Sequence, residues 1–231
     1  IRPIIEAINS GKIIDKLFIQ KGLHNDLFAE LWKLVRLNRI NYKHVPLEKI
    51  NRITRKNHQG VIAFISPIDF FNIEDVIPNL YEDGKTPIII VLDRVTDIRN
   101  FGAIARTAEC ANIDAILIPE KNSAAINADA IKTSAGALHK IKVCRTWNLS
   151  LALQFMKNCG IQIIACTEKT ETTIYQTDFT LPTAIIMGSE ENGISSEYLK
   201  ISDTKVKIPI NGEIKSLNVS VASGIILYEV L

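Results

Sequence analysis

Three loops contain the polar side chains best placed to do chemistry, and each loop follows an apolar run. The first contains Asn100, an amide that could cap a helix, and Arg106, a guanidinium that could hold a phosphate or a ribose. The second contains Glu190 in a turn between two glycines. The third contains Ser216 and Asn218 at the start of a helix, where unpaired backbone N–H groups could receive a ligand.

Each loop also has a purely structural interpretation. Gly102 precedes Arg106 by one helical turn, which predicts open space beside the guanidinium, but Arg106 could instead pair with Glu109. The segment 187–194 could be only a turn between a strand and a helix, since it lacks the Lys-Ser/Thr pair of a phosphate-binding P-loop and the G-x-G-x-x-G pattern of a dinucleotide site. Ser216 could serve only as a helix N-cap. The recurrence of all three loops after apolar runs favours a shared functional site.

Residues 87–231 alternate short apolar runs with helical patterns. The predicted strands are 88–92, 115–118, 161–165, 184–187 and 206–210, and the predicted helices are 100–111, 127–137 and 149–158. Such alternation predicts an α/β domain with a parallel sheet, and ligands in these sheets bind beyond the carboxyl ends of the strands. The three loops therefore fall where a ligand is expected.

The amino-terminal part forms a second, smaller α/β pattern. Helices are predicted at 4–10 and 27–37, and strands at 16–20 and 61–65. Breakers and turn-forming residues then surround one short amphipathic piece. We therefore predict two domains, 1–65 and 87–231, joined by a linker at 66–86.

Composition excludes several classes of function. The chain has 231 residues with a net charge of +2, so any nucleic-acid face must come from local clustering. Its four Cys lack C-x-x-C spacing and its four His are scattered, which predicts a reduced, cytoplasmic protein without a metal. The sequence has no apolar run long enough to cross a membrane and no signal-peptide pattern, so we expect neither membrane insertion nor secretion. Because the sequence starts at Ile1 and still looks helical at Leu231, we expect a few further residues at each end.

Read together, the three loops resemble the signature motifs of the SpoU family of RNA ribose 2′-O-methyltransferases, within the SPOUT superfamily. The first motif has the family's Asn, Gly and Arg at 100, 102 and 106. The second reads Ile-Met-Gly-Ser-Glu-Glu-Asn-Gly over 186–193, and the third runs from Ile-Pro-Ile at 208–210 to Ser-Leu-Asn-Val-Ser at 216–220. The match covers nearly the whole chain.

The resemblance implies a fold and a cofactor. The carboxy-terminal domain is expected to contain a trefoil knot, a rare exception to the usual rule that chains do not thread loops. Its loops are expected to bind S-adenosylmethionine in a bent form, and family members are homodimers whose active site is completed at the subunit interface. The residues implied to line the cofactor pocket are Thr167, Gly188, Ile208, Pro209 and Leu217.

The resemblance also implies the reaction, in which a ribose 2′-hydroxyl attacks the sulfonium methyl group in line and no metal is needed. The family's arginine, here Arg106, is proposed as general base with help from the substrate phosphate. Because a guanidinium is effectively always protonated, positioning that phosphate is at least as good a role. Asn100 and Asn218 would position substrate or loop backbone, Glu190 would orient its neighbours, and Ser216 would hydrogen-bond near the ribose.

Residues 1–65 resemble the ribosomal-protein-like substrate-binding domain of the bacterial enzyme that methylates a large-subunit ribosomal RNA guanosine. Arg52, Arg55 and Lys56 are candidate RNA contacts, although they could equally form a solvated loop. The sequence thus predicts a methyltransferase acting on ribosomal RNA. The alternatives are a transfer RNA ribose methyltransferase, a non-catalytic RNA-binding protein of the same fold, or a generic nucleotide-binding α/β protein.

Overall fold

The computed structural model describes residues 1–214 and 216–231. The chain divides into two compact units, Ile1–Asp69 and Phe70–Leu231. The division lies within the interval 66–86 that was predicted to be a linker. Most of that interval is structured, because it contains a helix whose Ile73, Val76, Ile77 and Leu80 are buried in the core of the second unit.

The first unit is a three-stranded sheet with helices on both faces. Leu17 and Ile19 of the central strand pack with Leu31 and Val35 on one face, while Phe18 packs on the other. The central strand β1 is parallel to β2 and antiparallel to β3. In chain order the elements are α1 (Arg2–Asn9), β1 (Ile14–Gln20), α2 (Asp26–Leu37), β2 (Tyr42–Val45), α3 (Leu47–Ile53) and β3 (Val61–Ile65).

The second unit is built on a six-stranded sheet in which every pair of neighbouring strands is parallel. The strand order is β6-β5-β4-β8-β7-β9. In chain order the elements are α4 (Ile73–Glu82), β4 (Ile88–Leu92), α5 (Ile98–Cys110), β5 (Ala115–Pro119), α6 (Ala128–Thr133), β6 (Lys142–Thr146), α7 (Leu149–Asn158), β7 (Gln162–Cys166), β8 (Thr183–Met187), α8 (Ser196–Ile201), β9 (Thr204–Val206) and α9 (Val219–Glu229). The predicted parallel α/β sheet is confirmed.

Two strands of this sheet differ from the sequence prediction. The strand predicted at 206–210 ends at Val206, and Lys207 forms only an isolated bridge with Thr173. Pro209 has no N–H group to continue the ladder. Strand β6 was not predicted, because Lys142 and Arg145 interrupt this edge strand and leave no continuous apolar run.

The strand order reverses at the centre of the sheet, between β4 and β8. These two strands run side by side from Ile88 and Thr183 to Leu92 and Met187. Their carboxyl ends therefore share one edge, and the Asp93 N–H extends the pairing by donating to the Met187 carbonyl at 2.8 Å. A reversal of strand order opens a crevice at that edge, where open α/β sheets bind ligands.

Within the described residues, 1–214 and 216–231, no helix is both long and apolar enough to span a bilayer.

Candidate active site

The three polar loops meet through the side chain of Asn218. Its Nδ2 donates to the Asn100 Oδ1 at 3.1 Å and also to the Glu190 Oε1. The same Glu190 oxygen accepts from the Val219 N–H at 3.3 Å. One residue from each loop thus belongs to a single hydrogen-bonded cluster, which we call the Asn100–Glu190–Asn218 cluster.

Helix caps explain how the two amides become available. Asp97, not Asn100, caps α5, since its carboxylate accepts from the Asn100 N–H at 2.8 Å. The sequence prediction that Asn100 is the cap was therefore wrong, and its side chain is left free for Asn218. Asn218 is itself the cap of α9 and accepts from the Ser220 N–H at 3.0 Å. Ser216 precedes this cap and does not start the helix.

A buried carboxylate holds the second loop, a feature that the sequence analysis missed. Asp93 is 2% exposed and accepts from the Ser195 N–H at 2.6 Å and the Ser195 Oγ at 2.7 Å. Arg94 pairs with Asp93 at 3.0 Å and also donates to the Gly193 carbonyl at 3.1 Å. The available signal was the position of Asp93 directly after the apolar run of β4. These contacts of Asp93 and Arg94 fix the loop that contains Glu190.

Gly188 is required by close packing within the same loop. A Cβ at this position would lie 2.2 Å from the Gly193 carbonyl carbon and 2.4 Å from the Ile194 nitrogen. Both atoms are backbone, so no side-chain rotation could relieve the clash. The loop therefore closes on itself as tightly as it does because position 188 has no side chain.

A cavity of about 640 Å³ lies beside the Asn100–Glu190–Asn218 cluster. Of the implied cofactor residues, Thr167, Gly188, Ile208 and Leu217 line it, whereas Pro209 does not. Ser216 and Glu190 also line it. Further lining residues that the sequence analysis did not single out are Cys166, Glu168, Lys169, Met187, Ser189, Glu191, Asn192, Gly193, Ile210, Val219 and Ala222.

The wall of this cavity combines apolar and acidic groups. Met187, Ile208 and Ile210 supply apolar surface, and Glu168 and Glu191 supply negative charge. Burial, together with a smaller effect of the nearby Glu168 carboxylate, raises the pKa of the Cys166 thiol to about 12. The Cys166 thiol is therefore neutral and contributes apolar surface at physiological pH.

A second cavity, of about 350 Å³, also borders the cluster. Asn100 and Asp97 line it, and Glu190 and Val219 line both cavities. The two spaces therefore adjoin at Glu190. Such an arrangement can present two reacting molecules to each other across one set of fixed polar groups.

Arg106 lies apart from the cluster. It is exposed on α5, lines neither cavity, and has no ion pair among the described residues. Glu109, its alternative partner in the sequence analysis, pairs with Lys140 at 3.4 Å. The open space predicted beside Gly102 is also wrong, since a Cβ there would lie 2.7 Å from the Thr133 Cβ. Gly102 instead allows α6 to pack closely against α5.

The three basic residues proposed to contact RNA lie at the end of α3 and in the loop after it. Arg52, Arg55 and Lys56 are all exposed. The Lys56 N–H donates to the Thr54 Oγ1 at 3.2 Å, and His58 lies 2.9 Å from the Asn51 Oδ1. The loop is therefore held by local hydrogen bonds, and its basic side chains face solvent.

In residues 1–214 and 216–231, no group of three or more His, Cys, Asp or Glu side chains is arranged to hold a metal ion.

An open parallel sheet with a cavity at its reversal point defines a ligand-binding α/β protein. The chain belongs to the SpoU rRNA Methylase family, whose sequence profile matches residues 87–228. A second profile, described as RNA 2′-O ribose methyltransferase substrate binding, matches residues 1–71. The chain therefore stands among the RNA ribose methyltransferases of this family.

Individual relatives agree with this assignment. A Staphylococcus saprophyticus protein assigned to the TrmH family of tRNA/rRNA methyltransferases is 33% identical over 97% of this chain and 90% of its own length. The SpoU methyltransferase AviRb of Streptomyces viridochromogenes, solved with AdoMet, has a TM-score of 0.63 at 23% identity and covers 99% of this chain and 86% of its own. The TrmH/SpoU tRNA modifying enzyme of A. aeolicus is 33% identical, with a TM-score of 0.58 over 68% of this chain and 82% of its own.

Proposed function

We propose that this protein methylates the 2′-hydroxyl of a guanosine in large-subunit ribosomal RNA, with S-adenosylmethionine as methyl donor. The observation that carries the proposal is the Asn100–Glu190–Asn218 cluster, which joins the three family motifs between two adjoining cavities. One cavity would receive the methyl donor and the other the acceptor ribose.

The larger cavity fits the methyl donor in size and chemistry. Its volume of about 640 Å³ lies within the range typical of cofactor pockets. Leu217, Ile208 and Ile210 would contact the adenine, and Glu168 and Glu191 provide negative charge suited to a cationic ligand. When bound, S-adenosylmethionine supplies a methyl group on a sulfonium sulfur, an electrophile that needs no metal.

The residues of this chain would orient the acceptor rather than supply a covalent intermediate. As the ribose oxygen forms its bond to the methyl carbon, the carbon–sulfur bond breaks and the hydroxyl proton passes to solvent. Asn100 and Asn218 would fix the acceptor oxygen in line, and Glu190 holds the Asn218 amide in place. Ser216 lines the larger cavity and would hydrogen-bond near the reacting ribose from the side of the methyl donor.

Arg106 would act across a homodimer. It lines neither cavity of its own chain, so we propose that it reaches the site of a second copy, where its charge positions the substrate phosphate and stabilises developing negative charge on the ribose oxygen. Helix α9 supports pairing, since Val221, Ile225 and Tyr228 form an exposed apolar stripe at helical spacing. A knotted carboxy-terminal chain, implied by the family, belongs to the same proposal.

Transfer RNA is the second candidate substrate. It is favoured by the 33% identity to a tRNA modifying enzyme, which matches only 68% of this chain. The description of the matched family as rRNA methylases supports ribosomal RNA. Both candidates share the same chemistry at the ribose.

The test is transfer of labelled methyl groups from S-adenosylmethionine to unmodified large-subunit ribosomal RNA and, in parallel, to bulk transfer RNA. We expect label in an alkali-resistant dinucleotide of the ribosomal RNA, because 2′-O-methylation blocks alkaline cleavage. Label only in transfer RNA would retain the chemistry and replace the substrate. Label in neither RNA, with the donor still bound, would favour the non-catalytic alternative.

A further inference from the structure

The net positive charge of the chain comes from its first unit. Residues 1–69 contain twelve Lys and Arg against six Asp and Glu, whereas residues 70–231 contain fifteen against nineteen. The chain's net charge of +2 therefore conceals a basic unit and an acidic one. A basic unit attracts the phosphate backbone of any nucleic acid, whatever the nucleotide sequence. The charge alone therefore does not identify which surface of the unit contacts RNA, or whether the unit prefers single-stranded or duplex RNA.

Four aromatic rings form a continuous cluster on this unit, between α2 and the edge strand β2. Trp32 and Tyr42 meet edge to face, with ring centroids 4.9 Å apart. His44 lies 5.6 Å from Tyr42 and 6.2 Å from Trp32, and Phe28 lies 5.9 Å from Trp32. We call Phe28, Trp32, Tyr42 and His44 the aromatic cluster.

The aromatic cluster is anchored on one side and open on the other. Phe28 and Trp32 pack partly against the core of the unit. Tyr42 is 43% exposed and His44 is also exposed, although Tyr42 is a large ring that could have been buried. Strand β2 is at the edge of the sheet, so the rings stand beside a strand that has no neighbour on its outer side.

One exposed cation shares a helix face with the aromatic cluster, and others lie nearby in sequence. Arg36 follows Trp32 by one helical turn on the same face of α2, and Lys33 and Arg39 are exposed nearby in sequence. Lys43 follows Tyr42 on the strand and points to the opposite face of the sheet, on the side of Phe18. Aromatic rings interleaved with exposed cations suit a nucleic-acid strand, since bases stack on the rings while phosphates meet the cations.

We propose that the aromatic cluster is a stacking site for unpaired nucleobases of the RNA substrate. The inference rests on the proposed function, which supplies RNA as the substrate. It adds that the first unit prefers single-stranded or looped RNA over duplex RNA. Bases inside a duplex are stacked on one another and cannot reach a protein ring, whereas splayed-out bases can. The surface also lies outside the basic loop of Arg52, Arg55 and Lys56.

The experiment measures binding of the whole protein to a single-stranded RNA of about twelve nucleotides and to the duplex of the same sequence, within the site sizes known for single-strand surfaces. We expect Tyr42→Leu, which keeps apolar packing but removes the ring, to weaken single-strand binding about tenfold. Tyr42→Phe should bind as the wild type does. Phe64→Leu is the matched control, because Phe64 is 41% exposed in the same unit and points from the opposite sheet face.

A second readout uses fluorescence. The chain has two Trp, so Trp147→Phe leaves Trp32 as the only reporter, and single-stranded RNA should then quench its emission.

Unchanged binding in Tyr42→Leu, equal losses in Phe64→Leu, or a preference for the duplex would overturn the proposal. These readouts need no methyl transfer. If the wild type transfers methyl groups and Tyr42→Leu leaves RNA binding unchanged, only this inference is wrong. If RNA binding depends on Tyr42 but no RNA is methylated, only the proposed function is wrong.

Discussion

The side-chain amide of Asn218 donates to that of Asn100 at 3.1 Å, although the two residues are 118 positions apart in the chain. The contact joins the start of α9 to the start of α5, and Glu190 of the second loop binds the same Asn218 nitrogen. Three loops that follow three different strands thereby act as one unit.

Replacing Asn218 by Asp separates its two roles. The carboxylate keeps an acceptor for the Ser220 N–H and so preserves the cap of α9, but it cannot donate to Asn100 and it repels Glu190. We expect turnover to fall about 100-fold, a size typical for loss of a positioning group, with little change in thermal stability. Asn218→Ala should lose turnover and about 1 kcal/mol of stability as well. Normal turnover in Asn218→Asp would reduce this residue to a helix cap.

Arg106→Ala should abolish transfer while leaving binding of S-adenosylmethionine nearly unchanged, because Arg106 lines neither cavity. If Arg106 serves the partner's site, mixed dimers of Arg106→Ala and Asn218→Ala chains regain one intact site each. Random mixing should then restore about a quarter of wild-type activity, as a two-fold symmetric dimer requires. Activity that stays absent in the mixture, with mixed dimers present, would place Arg106 and Asn218 in the same site of one chain.

Gly188→Ala should disrupt the second loop, because its Cβ would overlap the backbone of Gly193 and Ile194. We expect binding of S-adenosylmethionine, measured by calorimetry, to weaken by more than about tenfold, since overpacking a tight backbone contact shifts it. Gly212→Ala is the matched control, as a Cβ there meets no atom of the described residues within 4 Å. Equal affinities of the two variants for S-adenosylmethionine would show that the loop can widen without loss of binding.

Asp93→Ala should destabilise the second unit more than loss of a surface pair does. It leaves the Ser195 N–H without its buried acceptor and Arg94 without its partner, and breaking such a pair costs about 3 kcal/mol. Lys140→Ala, which breaks the exposed pair with Glu109, should cost less than about 1 kcal/mol. Urea unfolding of both variants measures the difference, and similar midpoints would contradict a structural role for Asp93.

Alkylation should distinguish the cysteines. Burial raises the pKa of Cys166 to about 12, with Glu168 adding to the effect, so its thiol stays protonated and reacts slowly at about pH 8, whereas Cys110 is exposed and reacts first. Because the folded pKa lies above the ordinary value of 9.0, the rate at Cys166 should keep rising with pH beyond 9 instead of levelling off there. The same raised pKa means that its contribution to stability is complete below about pH 9 and is lost as the pH rises towards 12. Mass spectrometry of iodoacetamide-treated protein tests the rates, and a plateau near pH 9 would show that Cys166 is solvated.

Local sequence was sufficient for the central strands and for the position of the loops. The apolar runs of β4 and β8 are buried on both faces, and such runs form parallel strands whatever the details of their neighbours. Helix α7 begins at Leu149 and ends at Asn158, as predicted, because Asn148 caps it and its apolar residues recur at helical spacing. The edge strand β6 lacks a continuous apolar run, and its pairing with β5 became visible only in the folded sheet.

The sequence by itself determined that Asn100, Glu190 and Asn218 follow strands of one parallel sheet, because burial of each apolar run acts over a few residues. The tertiary structure decided which polar groups meet. Asp97 rather than Asn100 caps α5, Gly102 faces Thr133 rather than open space, and Arg106 lies outside the Asn100–Glu190–Asn218 cluster. Each of these outcomes depends on a competition between hydrogen-bond partners or packing neighbours that are distant in the chain, and only the complete fold sets their distances.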